Sequence, residues 1–177
     1  MPKATTSTTE AELGYFKLHD AAPTPVFSTA ESCCFDLAFN AAGNREVKGY
    51  NRFNNAISRT LVDTNGALTI VTGDRLAIPT GLILQIPTGY SVRVHARSGL
   101  SYKQGLILVN SEGVIDSDYF HELYVLMSNV SDTNIVIQHG DRIAQAEMVP
   151  VLTYNFNPVS VRPAQKTDRV GGIGSTG

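Results

Sequence analysis

The chain has 177 residues, with 14 Lys+Arg against 16 Asp+Glu and a formal net charge of −2, a length that favours one domain with a core needing no staples. No basic stripe is present, which excludes direct nucleic-acid binding driven by charge, and no apolar run approaches the ~18 residues of a membrane span. The only cysteines, Cys33 and Cys34, are adjacent and neighbours rarely reach disulfide geometry, so a disulfide framework is excluded and a reducing cytoplasm (a host cell's, for a viral protein) is expected. With no third soft ligand nearby, the pair reads as two small half-buried hydrophobes, not as a metal or redox site.

Residues 1–14 read as a flexible lead, Thr/Ser-rich over 1–12 and without the apolar centre of a signal peptide. Residues 15–154 form the expected β domain. Its first strand covers 15–18, and Pro23 and Pro25 then bend the chain because neither can donate to a ladder. Residues 34–39 alternate as a strand does. Residues 40–55 are polar and Asn-rich with no strong periodicity, and the region 40–65 reads as an insertion. Short strands follow at 66–71, 74–78, 82–85 and 90–94. The echo Ile-Pro-Thr-Gly at 78–81 and 86–89 supplies β-turns around the third of these. After a central reactive stretch come strands at 122–127, 134–138 and 142–150, with one short helix expected in 100–105 or 51–61. Short strands at this spacing predict an all-β, jelly-roll-like sandwich or distorted barrel. Residues 155–177 are rich in Pro, Gly and Ser and read as a C-terminal arm.

The reactive side chains concentrate between His95 and Tyr119. Residues 106–109 and 114–115 are apolar runs flanking Asn110-Ser111-Glu112-Gly113, a pattern that predicts a β-hairpin. Arg97, Ser98 and Gly99 offer a charge, a hydroxyl and an unobstructed amide, the groups an anion requires. Asp116 is a candidate base. From spacing alone it is equally a turn aspartate, and Asp118 shares its face. Tyr119 could as well be an interface or core ring. His19, His95, His121 and His139 show no metal-ligand spacing.

ARSGLSYKQGL at 96–106 and NSEGVIDSDY at 110–119 resemble the second and third motifs of the trimeric dUTPase family. Phe35-Asp36-Leu37 resembles the first, GDRIAQ at 140–145 the fourth, and GGIGSTG at 171–177 the fifth. Five motifs in order imply a homotrimer of the dUTPase type that hydrolyses dUTP to dUMP and pyrophosphate with Mg²⁺, limiting uracil in DNA and supplying dUMP. By the same resemblance Asp116 activates the water that attacks the α-phosphorus. Tyr119 lies under the deoxyribose and leaves no room for a 2′-hydroxyl. Asn110, Val114 and Ile115 line the uracil pocket, while Arg97, Ser98, Gly99 and Gln145 hold phosphates. Asp36 meets Mg²⁺ through water. Arg142 in the fourth motif reads as a structural ion-pair partner, with direct ligand contact as the alternative. The arm, with Arg169, Ile173 and Gly174, closes over substrate, typically on a neighbouring subunit. The chain departs from the family at Cys34, at Ala96 before Arg97, at Phe120-His121, and at Ile173, which replaces an aromatic that stacks on uracil. A nucleotide-binding regulator without turnover, a dCTP deaminase-like enzyme and a viral jelly-roll protein are the alternative readings.

Overall fold

Alternation of buried and exposed side chains sets the architecture. A computed structural model of the protein describes residues 11–62, 66–168 and 171. Fourteen strands and one helix are found among them: β1 (Gly14–Lys17), β2 (Val26–Phe27), β3 (Phe35–Ala38), β4 (Glu46–Tyr50), β5 (Ala56–Thr60), β6 (Leu68–Ile70), β7 (Arg75–Pro79), β8 (Leu82–Gln85), β9 (Tyr90–Ala96), α1 (Ser98–Gln104), β10 (Leu106–Leu108), β11 (Gly113–Ile115), β12 (Tyr124–Asn129), β13 (Ile135–Ile137) and β14 (Arg142–Pro150). Two antiparallel five-stranded sheets carry the fold, ordered β11-β9-β14-β3-β2 and β10-β12-β7-β4-β5, with the small pairs β1-β8 and β13-β6 beside them. The all-β expectation holds.

Each strand turns alternate residues to opposite faces. In β12, Val125 and Met127 point inward at 1% and 0% exposure, while Tyr124 and Leu126 remain outside. In β9, Val92 and Val94 are inward, and in β3, Phe35 and Leu37. These residues join Leu76, Ile78, Leu106 and Ile143 in one core shared by both large sheets. β14, nine residues long, is the spine of the first sheet and pairs with both β9 and β3. Its register shifts between Arg142 and Ala144. That bulge lets Ile143 and Ala144 both turn inward at 0% exposure and aims Arg142 outward, a common device beside functional sites.

The expected hairpin of residues 106–115 does not form. β10 pairs with β12 in one sheet and β11 with β9 in the other, so the turn between them crosses from sheet to sheet. Both runs bury alternate residues in the same core, and two strands of the same sheet could not face each other across it. Residues 40–65, where no periodicity was legible, contain β4 and β5, an antiparallel pair extending the second sheet through Gly49 opposite Leu76 and Tyr50 opposite Arg75. Only Val47 of β4 is fully buried, so the apolar pattern is thin. A bidentate ion pair fastens this hairpin to the domain: Arg59 Nε and Nη2 donate to Asp74 Oδ2 and Oδ1 at 2.7 and 2.9 Å. Asp74 is 1% exposed and also accepts the Val71 N–H. The helix lies at Ser98–Gln104, not in 51–61, which holds β5. Residues 151–168 have no strand or helix and every one is exposed.

Candidate active site

Where β9 leaves its sheet, Arg97 is the extended N-cap of α1 (φ −89°, ψ 123°). The first intrahelical bond there runs from Ser101 N–H to the Arg97 carbonyl at 3.0 Å, so the amides of Ser98, Gly99 and Leu100 precede it and have no helical acceptor. β3 brings Asp36 alongside. Its carboxylate, 8% exposed, is held by two arginines: Arg97 Nε lies 3.2 Å from Oδ1, and Arg142 Nη1 3.0 Å from Oδ2. Ser28 Oγ donates to Oδ2 at 2.8 Å. Arg97 Nη1 donates to the Arg142 carbonyl at 2.9 Å, which leaves its Nη2 edge for a ligand. Gln145, directly across from Asp36 on β14, donates its amide to the Ala96 carbonyl at 3.1 Å.

These residues line one cleft of about 610 Å³, which gathers Asp36, Arg97, Ser98, Gly99 and Gln145 from three of the sequence motifs. A Cβ built on Gly99 would meet nothing within 4 Å, and the backbone there is not left-handed, so the chain itself does not require glycine. An amide left bare toward a cleft suits the close approach of an oxyanion. Arg97, fixed by one buried carboxylate, holds its Nη2 edge in place for a charge-assisted hydrogen bond to an anion. Among the described residues, no group of three or more His, Cys, Asp or Glu could hold a metal ion. Both Asp36 oxygens are already engaged, so this carboxylate suits the water shell of an ion carried on phosphates and not direct ligation.

The other expected residues cluster elsewhere. Asn110 opens a tight turn in which Ser111 takes φ +61° and Glu112 N–H donates to the Asn110 carbonyl at 2.6 Å. A non-glycine residue in that region stores of order 1–3 kcal/mol and needs outside support. Support comes from Glu112, paired with Arg93 at 3.4 Å and His95 at 3.8 Å, and from Gly113, where a Cβ would press on Val94 at 3.0 Å. Val114 is 48% exposed, Ile115 is partly buried against the core, and Asp116 is exposed. A turn closes from Tyr119 N–H to the Asp116 carbonyl at 3.2 Å, and Tyr119 Oη donates to the Glu122 carbonyl at 2.9 Å. Its ring, 37% exposed, meets His121 edge-on at 5.8 Å.

The two clusters do not meet within one chain. Ile115 is opposite Val92, five residues from Arg97, or roughly 17 Å along the strand at ~3.4 Å per residue. None of Asn110, Val114, Ile115, Asp116 and Tyr119 lines the cleft. Arg169, Ile173 and Gly174 lie outside the described residues. Arg142 makes the ion pair expected of it. Ser28, Glu31, Ser32 and Cys33 line the cleft with no motif to announce them, and Lys103 lies within the second motif without an assigned role. Lys103 is one helical turn after Gly99, so α1 read from residue 98 would have pointed to it.

Comparison with known proteins agrees with this geometry. The dUTPase family model matches residues 62–177. A deoxyuridine 5′-triphosphate nucleotidohydrolase of Dinoroseobacter shibae is 46% identical over 158 residues, covering 89% of this chain and 90% of that one. One of Brucella melitensis is 34% identical over 173 residues, 97% and 96% of the two chains. In fold, the Staphylococcus bacteriophage 80alpha dUTPase with dUPNHPP is similar with a TM-score of 0.71 at 20% identity, over 94% of this chain and 98% of that one. The matched family, the relatives spanning nearly the whole chain and the shared fold agree: this chain belongs to the dUTPase family.

Proposed function

We propose that the protein is a dUTP diphosphatase, hydrolysing dUTP to dUMP and pyrophosphate. The observation that carries this reading is the cleft itself, in which Arg97, fixed by Asp36, faces the bare amides of Ser98 and Gly99. Triphosphate binds there through the Arg97 Nη2 edge, the Ser98 hydroxyl and the Gly99 amide, with Gln145 adding polar contact from β14. Mg²⁺ carried by the phosphates would supply charge neutralisation, and Asp36 would meet it only through water. Uracil sits against the Asn110 turn beside Val114 and Ile115, where backbone groups can pair with its polar edge. Tyr119 underlies the deoxyribose and excludes a 2′-hydroxyl. Asp116 takes a proton from water as it attacks the α-phosphorus in line, and pyrophosphate leaves.

Because cradle and carboxylate stand at opposite ends of the β9–β11 pair, each site takes Asn110–Tyr119 from one copy and the cleft from another. A homotrimer supplies that arrangement in a closed ring. The arm beyond residue 155, through Arg169, Ile173 and Gly174, closes over the bound phosphates and base. The activity keeps uracil out of DNA and supplies dUMP.

Pyrophosphate release from dUTP, dCTP, dTTP and UTP with Mg²⁺, beside Asp116→Asn, tests the reading. Selective dUTP cleavage that disappears in the variant is expected. Tight dUTP binding with no pyrophosphate from the wild type would establish a regulatory nucleotide binder instead, and ammonia release from dCTP a deaminase.

A further inference from the structure

The two cysteines are nucleophilic side chains that this chemistry leaves unused. Their Sγ atoms stand 3.8 Å apart, and both line the cleft that holds Arg97, Ser98 and Lys103. They are not equivalent. Cys33 is exposed, whereas Cys34 is partly covered. Burial first, then its hydrogen bond with Cys33, pushes the Cys34 thiol from 9.0 up to about 11, which disfavours the thiolate, the form that reacts. Cys33 is therefore the one placed to attack.

A Cys33 thiolate meeting a small disulfide forms one S–S bond and breaks another: Cys33–S⁻ + R–S–S–R → Cys33–S–S–R + R–S⁻. Such adducts are often resolved by a neighbouring thiol. Here that step is hindered by geometry, because adjacent cysteines rarely reach disulfide geometry. The adduct then persists until an external thiol removes it. The cleft also selects the charge of its guest. Asp36 is neutralised by Arg97 and Arg142, and Lys103 is in no ion pair with a described residue. Glu31 is the remaining acid on the wall. Lys103 and the Arg97 Nη2 edge suit a carboxylate-bearing thiol.

We propose that Cys33 is a reversible thiolation site for an anionic low-molecular-weight disulfide, and that its adduct occupies the cleft and bars the triphosphate. The second clause rests on the phosphate-cradle reading above.

The full chain would be treated with glutathione disulfide and, separately, with cystamine, its cationic counterpart. Wild type, Cys33→Ser and Cys34→Ser would be followed by fragmentation mass spectrometry, with dUTP hydrolysis of each referred to its own untreated rate. One glutathione on Cys33 is expected in the wild type and in Cys34→Ser, none in Cys33→Ser, and slower reaction with cystamine. Hydrolysis should fall about a hundredfold, return with dithiothreitol, and be protected by pyrophosphate. Modification of Cys34, a Cys33–Cys34 disulfide, equal rates with both reagents, or a fully modified protein at its untreated rate would each overturn the proposal. If the untreated chain does not hydrolyse dUTP, the functional reading fails, and adduct mapping with pyrophosphate protection still decides the thiolation site.

Discussion

Ile115 on β11 lies directly opposite Val92 on β9, five residues before Arg97, so Asp116 and the Arg97 guanidinium depart from opposite ends of one antiparallel strand pair. A phosphate bound at Arg97 is out of reach of that chain's own carboxylate. The C-terminal segment repeats the message of incompleteness. Leu152, Tyr154 and Phe156 are 82%, 68% and 91% exposed, and large apolar side chains grouped this way mark an interaction surface.

In the proposed trimer, another copy would cover that segment. Burying a Leu or Phe contributes about 1.5–3 kcal/mol, so the double variant Leu152→Asp/Phe156→Asp should dissociate the trimer. Its melting as a β protein should persist, since neither side chain belongs to the core. Sedimentation of the variant as a trimer with full activity would remove the segment from assembly.

Gly99→Ala separates folding from binding. The methyl meets nothing in the chain, and alanine is favoured over glycine inside a helix by roughly 0.5–1 kcal/mol, so Tm should hold or rise. In the proposed cradle the same methyl stands where a phosphate oxygen approaches the amide, and kcat/KM for dUTP should fall about 10²–10³-fold. A stable variant with unchanged kcat/KM would move the phosphate away from Gly99.

Arg59→Ala leaves Asp74 buried with only the Val71 amide among the described residues. Breaking a buried pair from one side costs about 3–5 kcal/mol, which should be read as a lower urea midpoint. Loss of the pair also frees the β4–β5 hairpin, so amide exchange should rise across 46–60 before it rises in β14.

Tyr124 adds a small alkaline sensitivity to the fold. Its hydrogen bond with Glu122, then burial and the charge of Glu122, pushes the phenol up to about 12. The folded state thus retains a proton that the unfolded chain releases near pH 10. Stability from this group is complete below about pH 10 and is lost as pH rises toward about 12. Tyr124 is 43% exposed, so solvent screens the effect and it should be small. Denaturant midpoints across that window should decline less in Tyr124→Phe than in the wild type.

Much of this was legible in the residues. β14 was read with its full bounds because nine residues alternate over a shared core, and β1, β3, β7 and β8 were read to within a residue or so at each end. β4 and β5 were missed because their one fully buried residue is Val47, and a hairpin held by an Arg–Asp pair leaves little apolar rhythm. The supposed hairpin at 106–115 had the right turn chemistry. Periodicity reports which face is buried, not which partner strand completes the sheet. At the site, the motif residues Asp36, Arg97, Ser98, Gly99 and Gln145 meet in one cleft, a convergence across 110 positions that spacing cannot reveal. Ser28 and Cys33 entered through the loop before β3, where no pattern announces a wall. The reading of the cysteines as half-buried hydrophobes fits Cys34 and fails for exposed Cys33.

Subunit mixing tests the central claim most directly. Arg97→Ala and Asp116→Asn should each be inactive alone on dUTP. Co-expressed in equal amounts, they should recover about a quarter of wild-type pyrophosphate release, because that share of interfaces pairs an intact cleft with an intact carboxylate from another copy. No recovery from mixed trimers, with both variants folded, would contradict a site shared between chains.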